Sequence, residues 1–143
     1  MALELSGQVY DALSAYNYHL ASATNLKDRV VSESYLELSE GYLQTWKWVL
    51  DNSNLPYMLP LTSGWDKTPW GGSPNPLHDN SISTPEQFSK HLKQAKKVLN
   101  ENKTKTLNTV VICCWNEYGE GSYIEPTKKF GFKYLQQIRG SIK

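Results

Sequence analysis

Two glutamates three positions apart, Glu117 and Glu120, follow directly on an apolar run at residues 109–115. At that spacing in a loop, two carboxyl groups can converge on one substrate atom. Cleavage of a glycosidic bond needs such a pair, one acid to protonate the leaving oxygen and one carboxylate to act as nucleophile or base. Separations of about 5 to 5.5 Å favour retention and about 6.5 to 9.5 Å inversion, enzymes that use a substrate group as nucleophile excepted. Close like charges flanked by Trp115 and Tyr118 drive the two pKa values apart, so that one group stays protonated. An isolated E-x-x-E pair usually does no more than solvate a loop; its position after a buried strand is what gives this one weight.

Aromatic residues gather in the same kind of place. Trp65, Trp70, Trp115, Tyr16 and Tyr118 offer flat faces for the C–H side of sugar rings, and Asp66 and Asn116 can hold hydroxyls. Trp65 and Trp70 lie in a Gly/Pro-rich stretch where a packing role is less natural, whereas Trp46 and Trp48 fall inside a helix and supply at least one core side chain.

Three strand–loop–helix units position these groups. Residues 9–16 read as a short strand leading into a loop at 17–27. Tyr35, Leu38, Tyr42, Trp46 and Val49 recur at helical spacing, Ser34 and Glu37 offer a capping box, and the helix ends near residues 51–54. Residues 57–61 form a strand with an irregularity at Pro60, and 64–80 a long loop without regular structure, of the kind that usually carries function. Thr84-Pro85-Glu86-Gln87 starts a second helix, with Phe88, Leu92, Ala95 and Leu99 on its apolar face and Lys90, Lys93, Lys96 and Lys97 largely on the wet side. Residues 109–115 read as a strand covered on both faces by helices. A decorated loop at 116–126 and a last helical stripe of Phe130, Tyr134 or Leu135, Ile138 and Ile142 complete the order. Repeated βα units imply parallel strands with helical crossovers, an α/β fold whose functional loops follow the strand C-termini.

Composition narrows the classes. At 143 residues the chain suits one domain, spanning 1–143. With 39% hydrophobic and 20% charged residues it reads as globular, and no apolar run is long enough for a membrane span. A net charge of +1 with scattered lysines argues against nucleic acid. Cys113 and Cys114 point to opposite faces of a strand and read as packing residues. No Cys/His spacing resembles a zinc site, so neither metal nor cofactor is expected. Residues 1–7 carry no secretory signal pattern.

The run Trp115-Asn116-Glu117-Tyr118-Gly119-Glu120-Gly121-Ser122-Tyr123-Ile124-Glu125-Pro126 resembles the WNEW-x-EG-x-x-(I/L)EP signature of glycoside hydrolase family 99-like proteins, a group that includes the WbsX-type proteins often labelled glycosyltransferases. Gly64-Trp65-Asp66-Lys67-Thr68-Pro69 resembles their GWD-x-x-P loop, and the likeness runs from about Val9 to the C-terminus. The resemblance implies a TIM-type (β/α)8 barrel and metal-independent action on glycans, with Glu117 as base, Glu120 as acid, and Trp65 and Asp66 shaping the subsites. Tyr118 stands where tryptophan is usual, Gly119 where a larger residue is common, and Thr68 and Trp70 near where many relatives have arginine. These departures bear on substrate identity, with xylan, arabinan and mannan all open.

A closed barrel takes about 250 residues, so the chain is expected to be the last three βα units of a longer protein. Alone it is expected to lack hydrolase activity and to self-associate or pair with the missing barrel portion through its open edges. The leading expectation is a glycosidase acting on a polysaccharide or glycan. The alternatives are a WbsX-type transferase of polysaccharide biosynthesis, against which stands the lack of a DxD or Gly-rich phosphate loop, and a non-catalytic carbohydrate-binding fragment. Localisation follows the choice, extracytoplasmic for a hydrolase and cytoplasmic for a transferase.

Overall fold

A computed structural model describes residues 10–142, without the side chain of Ile142. Apart from 3₁₀ turns, its elements are α1 (Tyr35–Asn52), β1 (Leu59–Thr62), α2 (Pro85–Glu101), a short α3 (Lys103–Thr106), β2 (Val110–Cys113), β3 (Asn116–Glu117), β4 (Ser122–Tyr123) and α4 (Lys133–Ile142). β1 and β2 pair in parallel, Leu59 opposite Val110 through to Thr62 opposite Cys113. The fold is mixed α/β, with its parallel strands joined by helical crossovers.

The first sequence unit forms no regular strand among the described residues. It meets β1 through one parallel bridge, Leu13 to Tyr57, with Leu13 N–H donating to Pro56 O (2.8 Å) and Met58 N–H to Leu13 O (2.9 Å). Val9, at the start of that expected strand, lies outside the described residues. Successive N–H groups of an extended chain point to opposite edges. Tyr57 and Leu59 N–H donate to Lys105 O and Thr109 O, on the β2 side, while Met58 faces Leu13. The three segments therefore lie side by side in chain order: Leu13, β1, β2.

The core sits between β1 and the two long helices. Leu59, Leu61, Leu38, Tyr42, Trp46 and Phe88 are fully buried, and burying each large apolar side chain favours folding by about 1.5–3 kcal/mol. α1 is fastened to β1 by Trp46 Nε1–H to Pro60 O (3.1 Å) and Tyr35 O–H to Thr62 O (2.8 Å). Trp48 is half-buried. Arg29 ties the first loop to α1, donating to Ala21 O, Thr45 Oγ1 and Gly41 O. α4 lies along α2, with Tyr134 against Phe88 (5.5 Å between ring centroids) and its hydroxyl on Ser83 O (2.6 Å).

Several local expectations need correction. At α2 the capping box is complete, Thr84 Oγ1 accepting from Gln87 N–H and Gln87 Oε1 from Thr84 N–H. At α1 only half of it forms. Ser34 Oγ accepts from Glu37 N–H, but the Glu37 carboxylate reaches one residue further back to Glu33 N–H (2.7 Å). The supposedly irregular stretch 64–80 holds two 3₁₀ turns, Thr68–Trp70 and Pro76–Asn80, each with proline near its start. β2 is not covered on both faces: Val111 is 38% exposed. An apolar groove of about 500 Å³, bordered by Leu92, Leu99, Val110, Ile112 and Ile138, opens where α2, β2 and α4 meet. Cys113 and Cys114 do not face opposite ways; their sulfurs are joined across a cis peptide bond.

His91 is buried in the centre of this packing. It stacks on Trp46 (5.2 Å, 21°) and lies 3.1 Å from the Tyr35 hydroxyl, while its Nε2 has no partner among the described residues. Burial lowers its pKa to about 3 from 6.5. An unfolded chain thus protonates His91 near pH 6.5 and the folded one only near pH 3. Stability is fully present above the upper value and falls as pH drops through that window. Urea unfolding between the two pH values is expected to show this acid loss, with a shallower slope in His91→Phe. At neutral pH, Thr84→Ala is expected to cost about 1 kcal/mol by the same measurement.

Candidate functional site

The loops that follow the three aligned segments converge at one end of the sheet. Beyond β2 the chain does not run on as an open loop. β3 and β4 form a small antiparallel hairpin, Asn116 opposite Tyr123 and Glu117 opposite Ser122. Its connection is a 3₁₀ turn over Tyr118–Glu120, closed by Gly121 at φ 66°. Glu117 and Glu120 therefore stand at the two ends of one tight turn.

That hairpin is pinned to the end of β1. Ser122 Oγ lies 2.8 Å from Thr62 Oγ1 and donates to Cys113 O, and Tyr123 N–H donates to Ser63 Oγ (2.8 Å). The loop after β1 then meets the glutamate turn directly: Asp66 N–H donates to Glu120 O (2.8 Å). Approach is so close that a Cβ on Gly121 would stand 2.7 Å from Asp66 N and Cβ. Glycine is needed here twice over, for its positive φ and for that contact.

Asp66 and Asp79 hold the β1 loop in shape. Asp66 Oδ1 accepts from Thr68 N–H (2.9 Å), and the Asp79 carboxylate gathers Lys67 N–H, Ser73 N–H and Ser73 Oγ–H at 2.6–3.0 Å. Partial burial works against ionising Asp79, but the bonds from Ser73 and Lys67 outweigh it and hold its pKa below the ordinary value. Nothing in a Pro-Leu-His-Asp stretch marked Asp79 as the organiser of the loop.

Electrostatics link Tyr16, Glu117, Glu120 and Lys67. Glu120 is pushed above the usual carboxylate pKa, first by burial and then by the charge of Glu117, with Lys67 pulling the other way. Its Oε2 is shielded from solvent and has no hydrogen-bond partner among the described residues. The Tyr16 phenol is raised too, first by burial, then by the charges of Glu120 and Glu117 and by its hydrogen bond to Glu117. An acid whose pKa is raised beside a second carboxyl group is better equipped to give a proton to a leaving oxygen.

The remaining aromatic residues divide. Trp70 lies against Gly119, in the glutamate turn. Trp65 is packed internally, stacked on His78 (5.5 Å, 25°), crossed by His19 (4.1 Å, 70°) and bonded through Nε1 to Ser73 Oγ (3.0 Å). Tyr118 turns to Glu125 (2.8 Å) and leans on Tyr123. Trp115 and Asn116 are exposed. The His19–Trp65–His78 stack and Lys67 were not foreseen: His19 lies in the first loop, His78 and Lys67 in the loop after β1, and no periodicity relates them.

A family model described as Glycosyltransferase WbsX matches residues 6–138. The chain belongs to the WbsX glycosyltransferase family. No curated protein and no solved structure matches it. The WbsX assignment gives the chain a glycan-related function and overturns the expectation of a glycosidase, because the family is named for a transferase rather than a hydrolase. Among the described residues of this WbsX chain, no helix is long and apolar enough to cross a membrane, and no cluster of three or more His, Cys, Asp or Glu could hold a metal ion.

The coupling within the site is measurable. In a pH titration of the Glu120 side-chain carboxyl carbon by NMR, Glu117→Gln is expected to lower the midpoint towards the ordinary value and Lys67→Met to raise it. Midpoints unmoved by either change would show that the groups do not share a field.

Proposed function

We propose that the chain carries the catalytic loops of a WbsX-type transferase that moves a glycosyl unit onto an acceptor hydroxyl during polysaccharide assembly. The observation that carries this reading is the pairing, across one turn, of Glu117 with a Glu120 whose carboxyl group is shielded, unpartnered and raised in pKa. In the transfer, the acceptor oxygen attacks the anomeric carbon and gives its proton to Glu117. The bond from that carbon to the leaving oxygen breaks, and Glu120 protonates the leaving oxygen. Tyr16 lies in the field of both glutamates, and Lys67 offers positive charge beside the departing group. Trp115, Asn116, Tyr118, Asp66 and Trp65 line or support the surrounding sugar subsites.

The three aligned segments form, in this reading, the last βα units of a (β/α)8 barrel comprising residues 1–143 as one partial domain. Two features support it. Spatial order follows chain order, as it does around a barrel, and the functional loops all follow strand C-termini. The exposed edge and apolar groove beside β2 fit a surface that pairs with further barrel strands.

Transfer is best followed in the protein that carries this chain, by mass spectrometry of oligosaccharide acceptors extended from a panel of nucleotide sugars. Glu117→Gln and Glu120→Gln are each expected to slow extension about a hundredfold or more. In the wild type the rate is expected to fall as pH rises through the raised Glu120 pKa, because the acid is then lost. Extension at wild-type rates in both variants would discard the reading.

A further inference from the structure

Trp70 occupies the space that a side chain at position 119 would need. A Cβ on Gly119 would stand 2.2 Å from Cε2, 2.4 Å from Cζ2 and 2.5 Å from Nε1 of the indole. No side chain at 119 can coexist with the ring in this place. The backbone itself does not call for glycine there: positive φ values occur on either side, at Gly71 and Gly121, but not at Gly119. Gly119 differs in this from Gly121, and the neighbour it accommodates is an indole.

The backbone turn that carries the indole is held, and the ring itself is open. Trp70 N–H donates to Lys67 O (2.9 Å), Gly71 N–H to Thr68 O (3.1 Å), and Gly71 at φ 92° ends the turn. Asp79 fixes the start of that turn through Lys67 N–H. Despite these supports the Trp70 side chain remains 59% exposed. A ring with a purely structural role would bury more of itself. A tryptophan carried on a fixed turn, largely exposed, and lying against the residue next to Glu120 is laid out as a platform for the C–H face of a sugar ring. Because the ring is placed before any ligand arrives, little ordering cost falls on binding. Trp65 offers no such surface, since His78 and His19 already pack on it.

We propose that Trp70 is a sugar-stacking residue beside Glu120, and that Gly119 is the specificity-determining position that seats it. The ligand class is an uncharged pyranose with an unobstructed C–H face. This rests on the glycosyl-transfer reading of Glu117 and Glu120 and adds a subsite to it.

The test titrates the full chain with xylo-, manno-, cello- and malto-oligosaccharides, followed by tryptophan fluorescence and calorimetry. Wild type binds at least one of them. Trp70→Ala weakens that binding about tenfold, Trp70→Phe restores most of it, and Gly119→Leu weakens it to a similar extent by displacing the ring. In the Trp70→Ala background, Gly119→Leu adds little further loss, since both act through one indole. Circular dichroism checks that each variant is folded, and Trp70→Phe reports on the platform whatever the fate of the leucine variant. Undiminished binding in Trp70→Ala, additive losses in the double variant, or no binding by wild type to any of these sugars would overturn the proposal. Failure of the transfer reading looks different: Glu120→Gln would then extend acceptors normally while Trp70→Ala still lost its sugar.

Discussion

The arrangement of the site depends on one close approach between two loops, where Asp66 N–H donates to Glu120 O at 2.8 Å and Gly121 has no side chain to hold the backbones apart. A buried backbone hydrogen bond is worth only about 0.5–1.5 kcal/mol net, but this one sets position more than stability. It fixes the turn that carries both glutamates relative to the turn that carries Lys67 and Trp70. Below it, hydroxyl contacts among Thr62, Ser63 and Ser122 fasten the hairpin to the strand ends. An alanine at Gly121 would have to push Asp66 away, and Lys67 and Trp70 with it.

Two chemically identical side chains become different through that geometry. Glu120 lies on the shielded side of the turn, with one oxygen unpartnered and Glu117 near enough to oppose its ionisation. Tyr16, from the first loop, has its phenol pKa raised by burial and by the charges of Glu120 and Glu117. Burial and like charge act together on the Glu120 carboxyl group. Lys67 tempers the effect by favouring the ionised form. The different environments of the two glutamates thus follow from where each enters the turn.

Much of this was legible because local chemistry and tertiary contact agreed. The 3.6-residue spacing of Leu38, Tyr42 and Trp46 marked α1, and Thr84 with Pro85 and Gln87 marked the start of α2. Glu117, Glu120 and Tyr16 were selected as loop residues following strands, and the structure brings these three together. What escaped was non-local. Position 111 looked like part of a doubly covered strand because an apolar run does not say how many neighbours it has. Trp65 looked like a free platform because nothing in the sequence relates it to His19 and His78. The segment around Leu13 makes one bridge, since a strand needs a ladder partner and hydrophobic residues alone do not provide it. Whether the glutamate chemistry ends in water or on another sugar was likewise not written in the pair itself; the WbsX match decided against the hydrolase expectation.

The most direct measurement is a crystal structure of the protein with a bound acceptor oligosaccharide. The account predicts a sugar hydroxyl within hydrogen-bonding reach, about 3 Å, of Glu117, with the Glu120 carboxyl group facing the same anomeric region from across the turn. A sugar seated elsewhere on the molecule, with the two carboxyl groups turned apart into solvent, would contradict it.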